Sequence, residues 1–269
     1  MRTSAFLVAI PLALSACSAS EDVPDTAATA TPDGEVTPTP SADPNPDASA
    51  LTERNDLYIF EFRYPDEAKA EPELARLLNA RAAEARSELE RQAQDGKDAA
   101  EDSGFPFNGY SYRQPWKVVA DQPRFLSLSS EVRTFYGGAH DNLSTQSLIW
   151  DREEKRAIAP RDVFTSVTTL ENALGEKFCA ELDSEREKRR GQPVDESSTS
   201  DFDSCTKFSD LAILLGSKGG KAFDRIGLIA DPYTAGPWAE GKYEITLPVT
   251  VEVIDAVKPE YASAFALGS

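Results

Sequence analysis

Residues 125–136, FLSLSSEVRTFY, followed by the turn GGAHDN at 137–142 and the run LSTQSLIW at 143–150, decide the architecture of this chain. In the first run Leu126, Leu128, Val132 and Tyr136 share one side of an extended strand, and Glu131 and Arg133 lie on the other. Because successive side chains of a strand point to opposite faces, this alternation predicts a half-buried antiparallel strand. Leu143–Trp150 is predicted to be its hairpin partner.

Strand and helix patterns follow one another irregularly on both sides of this hairpin. Runs of strand-forming residues predict further strands at Leu57–Tyr64, Trp116–Ala120, Leu211–Leu215, Phe223–Ile229 and Tyr243–Leu247, with residues 216–221 as a hairpin turn. Apolar residues three and four apart predict a helix from Leu74 to about Asp95-Gly96, and a second helix over Leu170–Leu182. The second helix is expected to fray in the charged run 185–190, with residues 185–200 mobile. A short C-terminal helix follows the last strand.

The order of these elements predicts the fold class. Strict βαβ alternation is missing, so we predict an α+β fold of two small subdomains with mixed or antiparallel strands and flanking helices. The predicted subdomains span residues 51–140 and 141–269.

The first fifty residues carry a targeting signal. Arg2 precedes an apolar run from Ala5 to Leu14, and small residues lead into Cys17. This run is too short to cross a bilayer, which takes roughly 20 apolar residues, so residues 1–16 are predicted to be a lipoprotein signal peptide and Cys17 the lipidated residue. Residues 17–50 are acidic and proline-rich and predict a flexible tether. Ser18 favours sorting to the outer membrane, so we expect an outer-membrane lipoprotein of the cell envelope that faces the periplasm.

The charge balance narrows the class of partner. The chain has 28 Lys and Arg against 46 Asp and Glu, a formal net charge of −18. A strongly acidic protein is repelled by phosphate backbones, which excludes nucleic acid as an expected partner. The same field favours a basic protein partner, although it is equally compatible with simple solubility. Contact with the membrane is expected only through the N-terminal lipid.

Two cysteines remain after lipidation of the third. In an oxidising periplasm Cys179 and Cys205 predict one disulfide, which would stabilise the fold by about 3 kcal/mol in the chain-entropy estimate. The alternative is a pair of free, buried thiols.

The candidate catalytic residues are few. His140 is the single histidine, so the two-histidine helix of a zinc protease is excluded, and no Gly-x-Ser-x-Gly elbow presents a serine. No metal site, no cofactor and no catalytic residue are therefore predicted. On its Gly-Gly turn His140 is expected to be a hydrogen-bonded loop anchor, with a general base paired to an Asp as the alternative. A pair of catalytic carboxylates is neither supported nor excluded.

Four separated segments together resemble a known family. They are Tyr136-Gly137-Gly138-Ala139-His140, Leu148-Ile149-Trp150-Asp151, Arg161-Asp162-Val163-Phe164 and Asp231–Gly241. Over about residues 57–257 the chain resembles the RsiV-like extracellular module, the paired domains of unknown function in a lysozyme-sensing anti-sigma factor and beside some peptidoglycan deacetylases. The resemblance implies an α+β envelope module without known catalysis, which binds lysozyme in one branch. It points to a binding site at Tyr136, Gly137, Gly138, His140, Asp141, Tyr233 and Trp238.

The chain departs from that branch, because we identify neither a sigma-binding region nor a transmembrane helix in its sequence, and no deacetylase domain. The leading prediction is a non-catalytic periplasmic lipoprotein whose module binds a cell-wall protein or glycan, with a basic muramidase such as lysozyme or peptidoglycan itself as partner. The alternatives are a peptidoglycan-acting hydrolase that uses His140 or a carboxylate pair, and a structural envelope factor.

Overall fold

The computed structural model describes residues 49–195 and 197–268, which form two β-sheets and their flanking helices. This confirms the predicted α+β class. The predicted signal peptide, Cys17 and nearly all of the predicted tether lie outside the described residues.

The first sheet holds six strands in the order in which they occur along the chain. They are β1 (Ala50–Arg54), β2 (Tyr58–Arg63), β3 (Tyr110–Asp121), β4 (Phe125–Phe135), β5 (Asn142–Asp151) and β6 (Arg156–Ile158). Neighbouring strands are antiparallel except β2 and β3, which are parallel. The parallel pair needs a long crossover, and helices α1 (Asp66–Lys69) and α2 (Pro72–Ser103) provide it.

The hairpin predicted from residues 125–150 is confirmed. Strands β4 and β5 pair from Phe125↔Asp151 to Thr134↔Asn142, and Leu126, Leu128 and Val132 are buried as the alternation requires. The predicted subdomain boundary between residues 140 and 141 falls in the turn of this hairpin. One sheet therefore contains residues of both predicted subdomains and continues to Ile158.

Helix α2 is longer than its sequence pattern indicated. It passes through Gly96 and ends at Gly104, which adopts φ 71°. The side chain of Tyr110 packs directly on Gly96, and a Cβ at this position would overlap the tyrosine ring. The prediction of a helix end at Asp95-Gly96 was wrong, since this glycine serves close packing and Gly104 serves as the C-cap.

The second sheet has three antiparallel strands, β7 (Ala212–Gly216), β8 (Arg225–Ala230) and β9 (Tyr243–Pro248). The β7–β8 hairpin confirms the turn predicted at residues 216–221. Helix α3 (Val167–Arg190) packs on this sheet, and α4 (Val251–Ala256) is the predicted short C-terminal helix. Short 3-10 segments occupy Pro160–Val163, Phe208–Asp210, Trp238–Glu240 and Pro259–Ala264.

Two hydrophobic cores use opposite faces of the first sheet. One lies under α2 and contains Phe60, Leu78 and Trp150. The other joins Phe125 and Ile149, which point to the opposite face, to Phe178 of α3 and to the second sheet. This second core covers only the end of the sheet near Asp121 and Asp151.

Helix α3 continues through the charged run in which it was expected to fray. Ser166 caps its first turn by accepting a hydrogen bond from the Thr169 backbone N–H, and Gly191 ends it with φ 71°. Arg186 is fully buried, and Arg190 points to the same side. Residues 185–190 are thus part of the helix, which corrects the prediction that the helix frays in this run.

The guanidinium of Arg186 binds two backbone oxygens that belong to separate loops. Its Nε and Nη2 donate to the Ala235 carbonyl at 3.1 and 3.0 Å, and Nη2 also donates to the Ser204 carbonyl at 2.9 Å. Cys205 follows Ser204 and forms the predicted disulfide with Cys179 of the same helix. One face of α3 therefore fixes both the loop before β7 and the loop before β9.

In the described part of the chain, no helix is long and apolar enough to cross a membrane.

Replacing Gly138 should destabilise the fold whatever its function. Gly138 adopts φ 101°, where side-chain-bearing residues are strained, so Gly138→Val is expected to cost about 1 kcal/mol or more. The measurement is urea unfolding. Gly219→Val is the matched control, because Gly219 also lies in a hairpin turn with open space around it but lacks a positive φ. Equal midpoints for the two variants would contradict the assignment.

Arg186→Met should lower the free energy of unfolding by about 1–3 kcal/mol, because the Ala235 and Ser204 carbonyls lose a buried donor. Urea unfolding with the disulfide intact measures the change. Arg76→Met is the control, since the Arg76 side chain is 75% exposed and its removal should cost under about 0.5 kcal/mol. A wild-type midpoint for Arg186→Met would show that this arginine does not hold the loops.

Candidate functional site

The turn between β4 and β5 meets the loop between β8 and β9. The His140 ring stacks on Trp238, with ring centroids 4.1 Å apart and planes 10° apart. Its Nε2 lies 3.3 Å from the Tyr233 hydroxyl, and its Nδ1 lies 2.9 Å from the Asp141 carbonyl. Residues that are 93 and 98 positions apart thus form one group, which we call the aromatic cluster: His140, Tyr233 and Trp238.

Tyr233 is the most exposed member of the aromatic cluster. The residue remains 56% exposed, and its backbone has φ 70°, a value that costs free energy in a residue with a side chain. The Tyr233 N–H donates to the Gly236 carbonyl and closes a tight turn, which holds the ring beside Trp238 at a centroid distance of 6.3 Å. The cluster therefore presents a fixed aromatic surface to solvent.

The other predicted site residues lie apart from this surface. Tyr136 packs edge-on against Tyr110, with ring centroids 5.4 Å apart, and burial raises the pKa of its hydroxyl. Gly137 and Gly138 have φ 84° and 101° and shape the turn through their backbone. Asp141 lines a separate cavity of about 620 Å³ at the end of the first sheet. The structure thus brings together three of the seven residues as side chains, and two as the turn that presents His140.

Arg189 and Arg190 of α3 hold the loop between β8 and β9, and the sequence interpretation did not identify them. Arg190 contacts both carboxylate oxygens of Glu240, at 2.9 and 3.1 Å, and Asp203 at 2.6 Å. Arg189 donates to the carbonyls of Glu240 and Lys242 and lies over the Tyr243 ring. The signal was in the spacing: the apolar positions of α3 are four apart, and the next two positions in that series are Arg186 and Arg190.

The neighbours of Glu240 keep its ion pair with Arg190 charged. Burial opposes ionisation of Glu240, but the hydrogen bonds from Arg190 and Tyr243 outweigh it and hold the pKa of Glu240 below its usual value. Burial, the hydrogen bond to Glu240 and the carboxylate's charge raise the pKa of Tyr243 to about 12. The ion pair between Arg190 and Glu240 is therefore fully formed near neutral pH, and it weakens only when acid protonates the Glu240 carboxylate.

Two further contacts tie the loop to the first sheet. The Asp231 carboxylate accepts from the Thr145 N–H at 2.7 Å and from the Thr145 hydroxyl at 2.6 Å. Lys242 Nζ lies 3.0 Å from a Glu131 oxygen. Thr145 and Glu131 are register partners on β5 and β4, so the loop lies against one face of that hairpin.

The surroundings of His140 bear on its chemistry. Its hydrogen-bonding partners among the described residues are a backbone carbonyl and the Tyr233 hydroxyl, and an Asp carboxylate is not one of them. These are the contacts expected of a hydrogen-bonded loop anchor, with ring stacking in addition. Within residues 49–195 and 197–268, no group of three or more His, Cys, Asp or Glu residues is placed to hold a metal ion.

Part of the chain matches a known family model. Residues 51–142 match the model described as deacetylase PdaC. No curated protein matches the chain. A solved member of the DUF3298 family from Bacteroides fragilis is similar, with 16% identity, a TM-score of 0.48, and coverage of 82% of this chain and 92% of that one. A DUF3298 family protein from Pseudomonas aeruginosa PAO1 gives 18% identity, a TM-score of 0.45, and coverage of 82% and 99%. The family-model match ends at the first residue of β5, so it includes His140 and leaves out the loop with Tyr233 and Trp238.

Proposed function

We propose that this protein is a non-catalytic lipoprotein of the cell envelope whose folded module binds a cell-wall component through the aromatic cluster. The observation that carries the proposal is the group of His140, Trp238 and Tyr233, which two distant segments form together. In this group His140 stacks on Trp238 and Tyr233 is exposed beside them. Its partner is a glycan of the wall or a protein such as lysozyme, as the family resemblance implies.

The energetics of Tyr233 support binding over a purely structural role. A positive φ in a non-glycine residue costs on the order of 1 kcal/mol or more, and it persists only where the surroundings enforce it. Here the enforced conformation places the ring in solvent. In a purely structural role we would expect such a strained residue to bury its ring. We therefore propose that the exposed ring of Tyr233 contacts a ligand.

The composition of the cluster fits recognition. Tyrosine and tryptophan are enriched at binding hot spots because a rigid ring contributes a large contact area and loses little conformational entropy. Their flat faces suit the apolar side of a sugar ring or an extended side chain. Because Arg186 and Arg190 hold the loop in place before binding, less ordering is needed when the ligand arrives.

Removing the exposed ring should weaken binding without unfolding the protein. Tyr233→Asn is the sharpest variant, because asparagine tolerates the positive φ that this position requires. We expect affinity for soluble peptidoglycan fragments or for lysozyme to fall about 10-fold or more, measured by calorimetry with each ligand separately. Phe105→Ala is the control, since Phe105 is 72% exposed and lies in another part of the fold.

The hydrolase alternative makes the opposite prediction for His140. A general base contributes about 10²–10⁴-fold to a rate, so His140→Ala would abolish turnover of labelled peptidoglycan at an unchanged melting temperature. We expect no turnover in the wild-type protein and a modest loss of affinity or stability in this variant. Hydrolysis by the wild type that disappears in His140→Ala would overturn the proposed function.

The envelope location is tested separately at the N-terminus. Cys17→Ser should release the protein from the membrane fraction, because the thioether attachment point is lost and the acidic segment that follows has no affinity of its own for anionic lipid. Immunoblots of fractionated cells measure the distribution. Retention of the variant in the membrane, with unchanged processing, would refute lipid anchoring.

A further inference from the structure

One face of the first sheet is open to solvent at the end next to the aromatic cluster. Tyr58, Phe60 and Phe62 of β2 point to α2 and are buried. Strand alternation therefore turns Ile59, Glu61 and Arg63 to the opposite side. We call that side, between β1 and β5, the open face. The second core covers the sheet only near Phe125 and Ile149, and so leaves the open face without a covering element in the described part of the chain.

The open face carries a pair of arginines in direct opposition. Arg113 of β3 and Arg133 of β4 are register partners, with side chains 41% and 45% exposed. Like charges placed directly across two strands destabilise a sheet. In a chain with 46 acidic and 28 basic residues, composition does not account for this arrangement.

Carboxylates of the protein only partly neutralise the pair. Glu61 Oε2 lies 3.4 Å from Arg113 Nε, but the geometry does not make a hydrogen bond. Glu131 accepts from Arg133 at 2.9 Å, and it is shared with Lys242. Two further arginines on this face, Arg54 and Arg63, form no ion pair with another described residue. Asp56 and Asp141 line the cavity that contains Arg54 and Arg113, and neither forms an ion pair with them.

The surface around the pair is concave. A cavity of about 270 Å³ is lined by Arg63, Arg113 and Arg133. A second cavity, of about 620 Å³, is lined by Arg54, Arg113 and Phe135 and reaches Asp141, the residue next to His140. The loop with Tyr233 and Trp238 borders the same face through its bonds to Thr145 and Glu131. The loop that carries Tyr233 and Trp238 therefore lies at the border of the open face.

We infer that the open face binds a glycan that bears carboxylates, with its acidic groups on Arg113 and Arg133 and a sugar ring on the aromatic cluster. This inference rests on the proposed function and specifies its ligand. Planar guanidinium groups bind carboxylates through two parallel hydrogen bonds, and such charge-assisted bonds are about twice as strong as neutral ones. A ligand carboxylate between the two arginines also relieves their mutual repulsion.

The test compares two forms of one ligand. Soluble peptidoglycan fragments with free carboxylates, and the same fragments as methyl esters, are titrated into the full-length protein by calorimetry. Esterification should weaken wild-type binding about 10-fold or more, because it removes the charges that the arginines recognise. The double variant Arg113→Gln, Arg133→Gln should bind the acid form as weakly as the wild type binds the ester. The control is Arg76→Gln, Arg81→Gln, which removes the same charge from exposed positions of α2 and should leave affinity unchanged.

Both arginine substitutions lie on a solvent-exposed face, and a melting curve shows whether each variant is folded. If the double variant is unfolded, the single variant Arg133→Gln replaces it. Equal affinity for acid and ester, with Tyr233→Asn still weakened, would overturn the carboxylate inference and leave the proposed function standing. Absence of wild-type binding to both forms would overturn the inference, and if lysozyme also fails to bind, the proposed function fails with it. If polyglutamate competes as well as the fragments while Tyr233→Asn binds normally, the occupant is an acidic peptide and the inference is wrong.

Discussion

The buried guanidinium of Arg186 is the interaction on which the arrangement of the loops before β7 and β9 depends. A fully buried arginine is costly unless its donors are used, and here they reach the Ala235 and Ser204 carbonyls and the Asp183 carboxylate. Ala235 lies in the loop that carries Tyr233 and Trp238, and Ser204 precedes the disulfide cysteine Cys205. Helix α3 therefore positions the aromatic cluster, although no residue of that helix belongs to the cluster. A loop fixed at such a point can hold an exposed ring in a strained conformation, which a free loop would relax.

The crossover between β2 and β3 imposes the second constraint. Helix α2 has 32 residues and packs on one face of the sheet, where the core extends from Phe60 to Trp150. The second sheet and α3 use the other face, but only at the end near Asp121. The second core therefore leaves part of the other face uncovered in the described part of the chain. The loop from β8 to β9 borders this region through the bonds of Asp231 to Thr145, so the aromatic cluster lies where the two packing arrangements meet.

Sequence patterns predicted the parts of the fold that local periodicity controls. Alternation identified the β4–β5 and β7–β8 hairpins, and the spacing of leucines identified α2 and α3. The errors have physical causes. Gly96 resembles a helix stop but makes room for Tyr110, and the run 185–190 resembles a solvated end although Arg186 and Arg190 continue the buried series. The parallel pairing of β2 with β3 joins segments that the whole of α2 separates, which a local pattern does not contain. Strands β1 and β6 pair with their sequence neighbours, but with five and three residues they are too short for a clear alternation. The aromatic cluster was partly predictable, because motif resemblance grouped His140 with Tyr233 and Trp238, whereas the opposition of Arg113 and Arg133 exists only in the register of two strands.

The contrast between net charge and local charge decides which ligand the surface suits. A net charge of −18 favours a basic partner at long range, and that field steers encounters at low salt. At physiological ionic strength, however, charges are screened beyond about 8 Å, so a bound ligand senses the groups it touches. On the open face those groups are arginines together with Glu61 and Glu131. Many of the other acids, such as Glu84, Glu88 and Asp98, are exposed on α2 behind the sheet. The long-range field of such a protein disfavours the approach of an acidic ligand, whereas under the inferred carboxylate recognition Arg113 and Arg133 favour it once bound. Affinity for a carboxylated ligand should therefore rise with salt over the range in which long-range repulsion is screened, and fall only where the arginine contacts themselves are screened.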